Sequence, residues 1–261
     1  EKTGARVLSE TFSARHERGG GRARLERLPY FTEQAVEALA DLHDLVLVQT
    51  RAPVGFFAYP DKPSVIPSPQ TRIHTLAELE EDAEAALRAL AEAVGVAPGD
   101  AGRRRNDATR PERPTGALDP RSIAAAVGAC LPEEAIVVDE SATAGLFLLG
   151  ATEAAPPHDW LSLTGGAIGQ GMPCATGAAL ACPGRRVLSM QADGSAMYTL
   201  QALWTQAREG LDVTTVLLAN RSYAILNLEL TRTGAAPSRV AQELFDLRRP
   251  DLDFVSLARG M

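Results

Sequence analysis

The chain is expected to fold as an α/β protein of two doubly wound, mainly parallel sheets, on three observations. Short runs of Val, Leu and Ile bounded by turn residues alternate with stretches whose apolar residues recur at helical spacing. That alternation occurs twice, before and after an interval rich in Pro, Gly and Arg at residues 95–118. The 261 residues also suffice for two ordinary α/β units, each burying its own core.

The elements follow in order. Ala5–Leu8 is a first strand candidate, and Thr32–Leu42 carries Ala35, Val36, Leu39 and Ala40 at helical spacing before the short buried strand Leu45–Val48. Thr75 with Glu78 three residues later reads as a capping box for a helix whose face is Leu76, Leu79, Ala83, Leu87, Leu90 and Val94, closed by Gly95. Residues 95–118, with Pro98, Gly99, Arg103–Arg105, Pro111 and Pro114, offer almost nothing to bury and read as a linker. Asp119 then caps a helix with Pro120 in its first position, running to about Cys130. Strands are expected at 135–138, 161–163, 187–190 and 213–218. Helices are expected from the Ala-rich stretch 175–181 and from the face Leu200, Leu203, Ala207.

Composition narrows the functional classes. Apolar residues at 45% and charged residues at 23% describe a folded globular chain, and no apolar run approaches membrane-spanning length. A net charge of −7 argues against a nucleic-acid partner, which needs a basic face. Three cysteines at 130, 174 and 182, without CxxC spacing, fit a reducing cytoplasm. A start without Met and an end inside an apolar pattern at Ser256–Met261 read as a piece of something longer. The four histidines have no metal spacing and are assigned no role.

The informative stretch is 187–226. One strand ends in Ala192-Asp193-Gly194-Ser195, a helix follows, and the next strand ends in Ala219-Asn220-Arg221-Ser222-Tyr223. In such a βαβ unit the strands are parallel, so Asp193 and Asn220 converge at the carboxyl edge where ligands of open sheets sit. A carboxylate, a carboxamide oxygen and a nearby carbonyl are hard oxygen ligands suited to Mg²⁺ that completes its shell with phosphate. Gly194 lets the backbone approach that phosphate, and Ser195 with the first helical amides would meet the anion. Taken singly, Asp193 reads equally as an N-cap and Asn220 as a turn residue. Upstream, Thr164-Gly165-Gly166-Ala167-Ile168-Gly169-Gln170-Gly171 is a glycine-rich loop between strand and helix. It fails as a dinucleotide fingerprint, because Cys174 stands where Gly or Ala is needed and no acidic residue ends a strand at ribose distance.

The segment 192–223 resembles the diphosphate-binding motif of thiamine diphosphate enzymes, with Ala192 and Ala219 departing from the usual Gly and Asn. The resemblance implies thiamine diphosphate with Mg²⁺ held by the side chains of Asp193 and Asn220 and the carbonyl of Ser222. Gly194, Ser195 and Tyr223 lie on the diphosphate in the same comparison. It further implies that the Gly166 carbonyl meets the aminopyrimidine, that Ile168 props the bent cofactor, and that Ser141 and Thr143 belong to the loop supplying hydroxyls to the diphosphate. Residues 1–94 resemble the later part of the central domain of benzoylformate decarboxylases and acetolactate synthases, and 119–261 most of the diphosphate domain. Ala58 stands at the nearest match to the active-site histidine of benzoylformate decarboxylases.

The expectation is therefore decarboxylation of a 2-oxo acid, with the enamine protonated or joined to a second carbonyl compound, in a homodimer or homotetramer. Ala224, Ile225 and Leu226 are the substrate-side candidates. The activating glutamate of the family lies on a pyrimidine-binding domain that this chain does not contain, so no catalytic residue is assigned. A non-catalytic subunit of this fold, or one half of a split enzyme, are the alternatives.

Overall fold

The computed structural model describes residues 3–96 and 108–261. In chain order the elements are β1 (Leu8–Ser9), β2 (His16–Arg18), β3 (Glu26–Arg27), α1 (Thr32–Leu39), β4 (Asp44–Val48), β5 (Arg72–Ala77) and α2 (Ala83–Ala93). After the undescribed stretch come α3 (Pro120–Cys130), β6 (Ile136–Glu140), α4 (Leu148–Ala151), β7 (His158–Ser162), α5 (Gly171–Ala181), β8 (Val187–Ala192) and α6 (Asp193–Thr199). The chain then runs through α7 (Ala202–Arg208), β9 (Val213–Leu218), α8 (Ala224–Arg232), α9 (Arg239–Phe245) and α10 (Phe254–Arg259). No helix among the described residues is long and apolar enough to cross a membrane.

Two compact units emerge, Glu1–Thr11 with Leu25–Arg103, and Phe12–Arg24 with Arg104–Met261. The boundary expected at 94 therefore misses a crossing: residues 12–24 join the second unit. Residues 97–107 of the expected linker, including Arg103–Arg105, lie outside the described residues.

In the first unit the strands form two parallel pairs, β1 with β3 and β4 with β5, rather than one wound sheet. Ala35 and Leu39 of α1 and Ile66 make its small core. The expected capping box at Thr75 is corrected. Thr75 sits in β5 opposite Leu47 of β4, so its backbone is extended and committed to a strand. The helix starts later, at Ala83, where the Asp82 carboxylate accepts from the Ala85 amide at 3.0 Å. Glu78 instead belongs to the acidic turn between them, its amide donating to Glu81. Gly95, at φ +70°, ends α2 as expected.

The second unit is the doubly wound one, a five-stranded sheet in the order β2-β7-β6-β8-β9. All four of β6–β9 run parallel, and β2 lies antiparallel along β7 with His16 opposite Trp160. Alternate residues feed opposite faces, as strand geometry requires. Ile136, Val138 and Val187 pack on Ala175 and Ala179 of α5, while Val137, Trp160 and Met190 pack on Ala124 of α3 and Leu148 of α4. The α3 start matches the sequence in detail. Asp119 accepts from the Ser122 amide at 2.7 Å, Ser122 accepts from the Asp119 amide at 2.8 Å, and Pro120 follows the cap. The helix expected around Leu200–Ala207 is two, because the i→i+3 bonds Leu203–Leu200 and Trp204–Gln201 tighten the chain between α6 and α7. Strand β7 begins at His158, three residues before the expected start.

His158 carries a consequence for stability. Its ring is 4% exposed, Nδ1 lies 2.8 Å from the Pro156 carbonyl, and Nε2 is buried without a partner. Burial pushes the imidazole below its ordinary value, and Arg18 adds to the shift. A depressed native value means the neutral ring costs nothing above about pH 6.5, whereas below it the unfolded chain takes up a proton that the native state resists. Stability is accordingly expected to fall as pH drops from about 6.5 through the lower native value. Urea midpoints measured between pH 7.5 and 5 should decline in the wild type and decline less in His158→Gln. Parallel declines in both proteins would refute this.

Candidate functional site

The strand order places the ligand edge. From β6 the sheet grows one way to β7, then crosses back to the other side for β8 and β9, so the winding reverses between β6 and β8. At such a reversal the loops leaving the two carboxyl ends part and open a crevice. Loops after β6, β7, β8 and β9 all lie at that edge because the four strands are parallel.

After β8, Asp193 is the first residue of α6 and only 2% exposed. One carboxylate oxygen accepts from the Gly194 amide at 2.9 Å, and the other from the Arg221 amide at 2.6 Å. The second bond ties the β8 loop to the β9 loop and brings Asp193 beside the 220–222 turn. In that turn Arg221 has φ +58°, the exposed Asn220 accepts from the Ser222 amide through Oδ1 at 3.0 Å, and the Ser222 carbonyl accepts from the Ala224 amide at 2.8 Å. The turn is also paired from outside: Tyr223 donates to the Phe245 carbonyl at 2.9 Å, Leu247 donates to the Arg221 carbonyl at 3.0 Å, and Arg221 meets Asp251 at 3.3 Å. Asp193, Asn220 and Ser222 thus offer one carboxylate, one carboxamide oxygen and one carbonyl, a donor set that fits Mg²⁺. Among the described residues there is no cluster of three His, Cys, Asp or Glu suited to a metal, and this set, with its single carboxylate, is not of that kind.

Gly194 has a steric requirement within the chain itself. A Cβ there would meet the Tyr223 ring, with Cδ1 at 2.8 Å, so the tyrosine packs over the helix start. Burial, Tyr198 and Asp193 together push the Tyr223 phenol up. Ser195 is 5% exposed inside the same first turn. The loop after β6 divides its two hydroxyls. The Ser141 hydroxyl and amide both bond Asp139, and the side chain is buried. Thr143 is half-buried in the 3₁₀ turn 142–145, which lies beside α8 and β8.

The glycine-rich loop after β7 turns through Gly165 at φ +62°, Gly166 at φ +69° and Gly169 at φ +95°, and it leaves Ile168 exposed. Left-handed backbone at three positions within five explains the glycines. Ala224, Ile225 and Leu226 form the first turn of α8, directly after the 220–222 turn, the first two half-buried and Leu226 exposed.

Glu140 is a buried residue of the site that the sequence analysis did not single out. It ends β6, is 2% exposed, and receives the amides of Gly169 and Gly171 together with the Gln191 side chain. The signal in the sequence is an acidic residue closing the buried run Ile136-Val137-Val138 immediately before a loop.

Residues 143–261 match the family described as thiamine pyrophosphate enzyme, C-terminal TPP binding domain. A Mycobacterium tuberculosis protein provisionally named acetolactate synthase large subunit is 52% identical over 263 residues, covering 100% of this chain and 50% of that one. A benzoylformate decarboxylase of Pseudomonas aeruginosa is 32% identical over 147 residues, 56% of this chain and 26% of the relative. Among solved structures, a thiamine diphosphate-dependent 4-hydroxybenzoylformate decarboxylase of Rhodococcus jostii superposes with a TM-score of 0.70 at 25% identity, over all of this chain and 50% of that one. A benzoylformate decarboxylase of Polynucleobacter necessarius gives 0.73 at 20% identity, over 98% of this chain and 50% of that one, which speaks for the fold alone. The chain spans half or less of the length of these relatives.

Proposed function

We propose that this chain, which over residues 143–261 matches the C-terminal TPP binding domain of thiamine pyrophosphate enzymes and is similar to acetolactate synthases and benzoylformate decarboxylases, is part of such an enzyme and that its second unit binds thiamine diphosphate through Mg²⁺. The observation that carries this reading is the bond from Asp193 to the Arg221 amide, which joins the two loops bearing hard oxygen donors at the sheet's switch point. Asp193, Asn220 and the Ser222 carbonyl would hold the ion. Gly194 and Ser195 open the helix that meets the diphosphate, Tyr223 covers that turn, and Thr143 donates from the β6 loop. Ser141, bonded to Asp139, is the second hydroxyl of that loop. Gly166 and Ile168 stand in the loop that would run along the ring, with Ala224, Ile225 and Leu226 on the substrate side.

When bound, thiamine diphosphate supplies the electron sink for loss of CO₂ from a 2-oxo acid. The protein's part is to hold the diphosphate end, orient the ring and exclude water. The proton transfer that activates the ring is assigned to a pyrimidine-binding domain in a homodimer or homotetramer, which makes the cofactor site an interface. Such chemistry would yield either an aldehyde or the product of joining to a second carbonyl compound.

Calorimetric titration of the natural full-length protein with thiamine diphosphate should show binding in the presence of Mg²⁺ and its loss with EDTA. A screen of 2-oxo acids for CO₂ release should then identify the substrate. Absence of binding at millimolar cofactor sinks the reading, and binding without CO₂ release from any 2-oxo acid favours a non-catalytic subunit.

A further inference from the structure

We propose that Glu140 is the positioning residue of the glycine-rich loop, its buried carboxylate fixing residues 169–171 in the shape in which that loop meets the cofactor ring. The proposal rests on the cofactor reading above and adds a residue to it.

Four observations converge. Glu140 and Gln191 are direct partners across β6 and β8, the last pair of that register before the crevice, so both side chains rise on the α5 face. Glu140 Oε1 accepts from the Gly169 amide, and Oε2 accepts from the Gly171 amide at 2.6 Å and from Gln191 Nε2 at 3.0 Å. Gln191 Oε1 is buried without a partner, which shows what sets its orientation. A flipped carboxamide would turn oxygen toward the Glu140 oxygen, so donation to Glu140 decides. Gly171 has no room for a side chain, because a Cβ would lie 2.5 Å from Glu140 Oε2 and 2.6 Å from Gln191 Oε1.

The physics makes the arrangement specific to a carboxylate. A buried anion loses its hydration and needs donors in return. Here the loop backbone supplies two, and donor bonds to a charged acceptor are stronger than neutral ones. The loop therefore loses two strong bonds if it departs from this path. The other side of the loop is held as well, since Thr199 donates to the Gly169 carbonyl at 2.9 Å. Glutamine cannot replace Glu140, because one carboxamide end is a donor. In either rotamer it would face the N–H of Gly169 or of Gly171.

Two variants and two readouts test this on the full-length protein. Without cofactor, hydrogen exchange of the 169–171 amides should rise by about tenfold or more in Glu140→Gln, and likewise in Gly171→Ala, whose Cβ displaces the carboxylate, with α3 protection unchanged. Titration should then separate ring from diphosphate. Glu140→Gln should weaken Mg²⁺-dependent binding of thiamine diphosphate by about tenfold and leave binding of Mg²⁺ with inorganic diphosphate within about twofold. A role confined to general stability would weaken both ligands alike, and that result overturns the proposal. Unchanged exchange in both variants overturns it too. If the wild type binds neither ligand, the cofactor reading fails and the ring role falls with it, while the exchange data still decide whether Glu140 holds the loop.

Discussion

Substituting Asp193 by alanine is expected to raise the dissociation constant for Mg²⁺-dependent thiamine diphosphate by at least about a hundredfold, equivalent to ~2.7 kcal/mol. Two losses combine. One hard anionic ligand disappears from a set in which it is the only carboxylate, and the Arg221 amide loses the acceptor that draws the 220–222 turn to α6. Asp193→Asn keeps the shape but must turn its NH₂ toward the amide of Gly194 or of Arg221, so it is expected to fall between wild type and alanine. Asn220 is exposed and bonds only the nearby Ser222 amide among the contacts described above, so Asn220→Ala leaves the turn's tie to Asp193 in place and should cost less. Calorimetric titration of the three variants with saturating Mg²⁺ checks the order. An Asp193→Ala protein that binds within about threefold of wild type would remove Asp193 from the metal site.

The largest effect on stability is expected at Trp160. Its side chain is 1% exposed among Ala124, Leu131, Leu148 and Met190, and the Arg18 guanidinium covers it at 5.3 Å from the ring centroid. Nε1 is buried without a hydrogen-bond partner, so the residue contributes packing and area rather than a polar bond. Truncation to alanine should cost about 3–5 kcal/mol, a large part of the 5–15 kcal/mol typical of a domain. Trp160→Phe should recover much of that, because no hydrogen bond is at stake and only part of the volume is lost. Urea unfolding followed by circular dichroism gives both values. A shift under about 1 kcal/mol for Trp160→Ala would contradict this account of the core.

Much of the second unit could be read from the chain because its signals are local. Asp119-Pro120 marks a helix start, and the β-branched runs around 136 and 213 mark strands that need only their own residues to be recognised. Asp193 and Asn220 were legible as a pair because parallel strands force their loops to one edge. What failed depends on distant partners. Thr75 looks like a cap until β4 is known to lie beside it, and nothing near His16 announces pairing with Trp160, 144 residues later. The role of Glu140 turns on amides 29 and 31 residues away, which identity and spacing could not show. Gly194 was recognisable as a required glycine, but its neighbour is the Tyr223 ring.

The crossing of residues 12–24 into the second unit bears on how this protein can be dissected. A gene fragment beginning after residue 107 would include the complete 143–261 family match yet lack β2. The outer edge of β7 would then present unpaired main-chain groups, an invitation to sheet-to-sheet aggregation, and Arg18 would be missing from above Trp160. The covalent order of the gene and the boundaries of its autonomous parts therefore differ. Residues 12–24 would have to be supplied as a separate peptide or grafted ahead of 108 for the second unit to be studied alone.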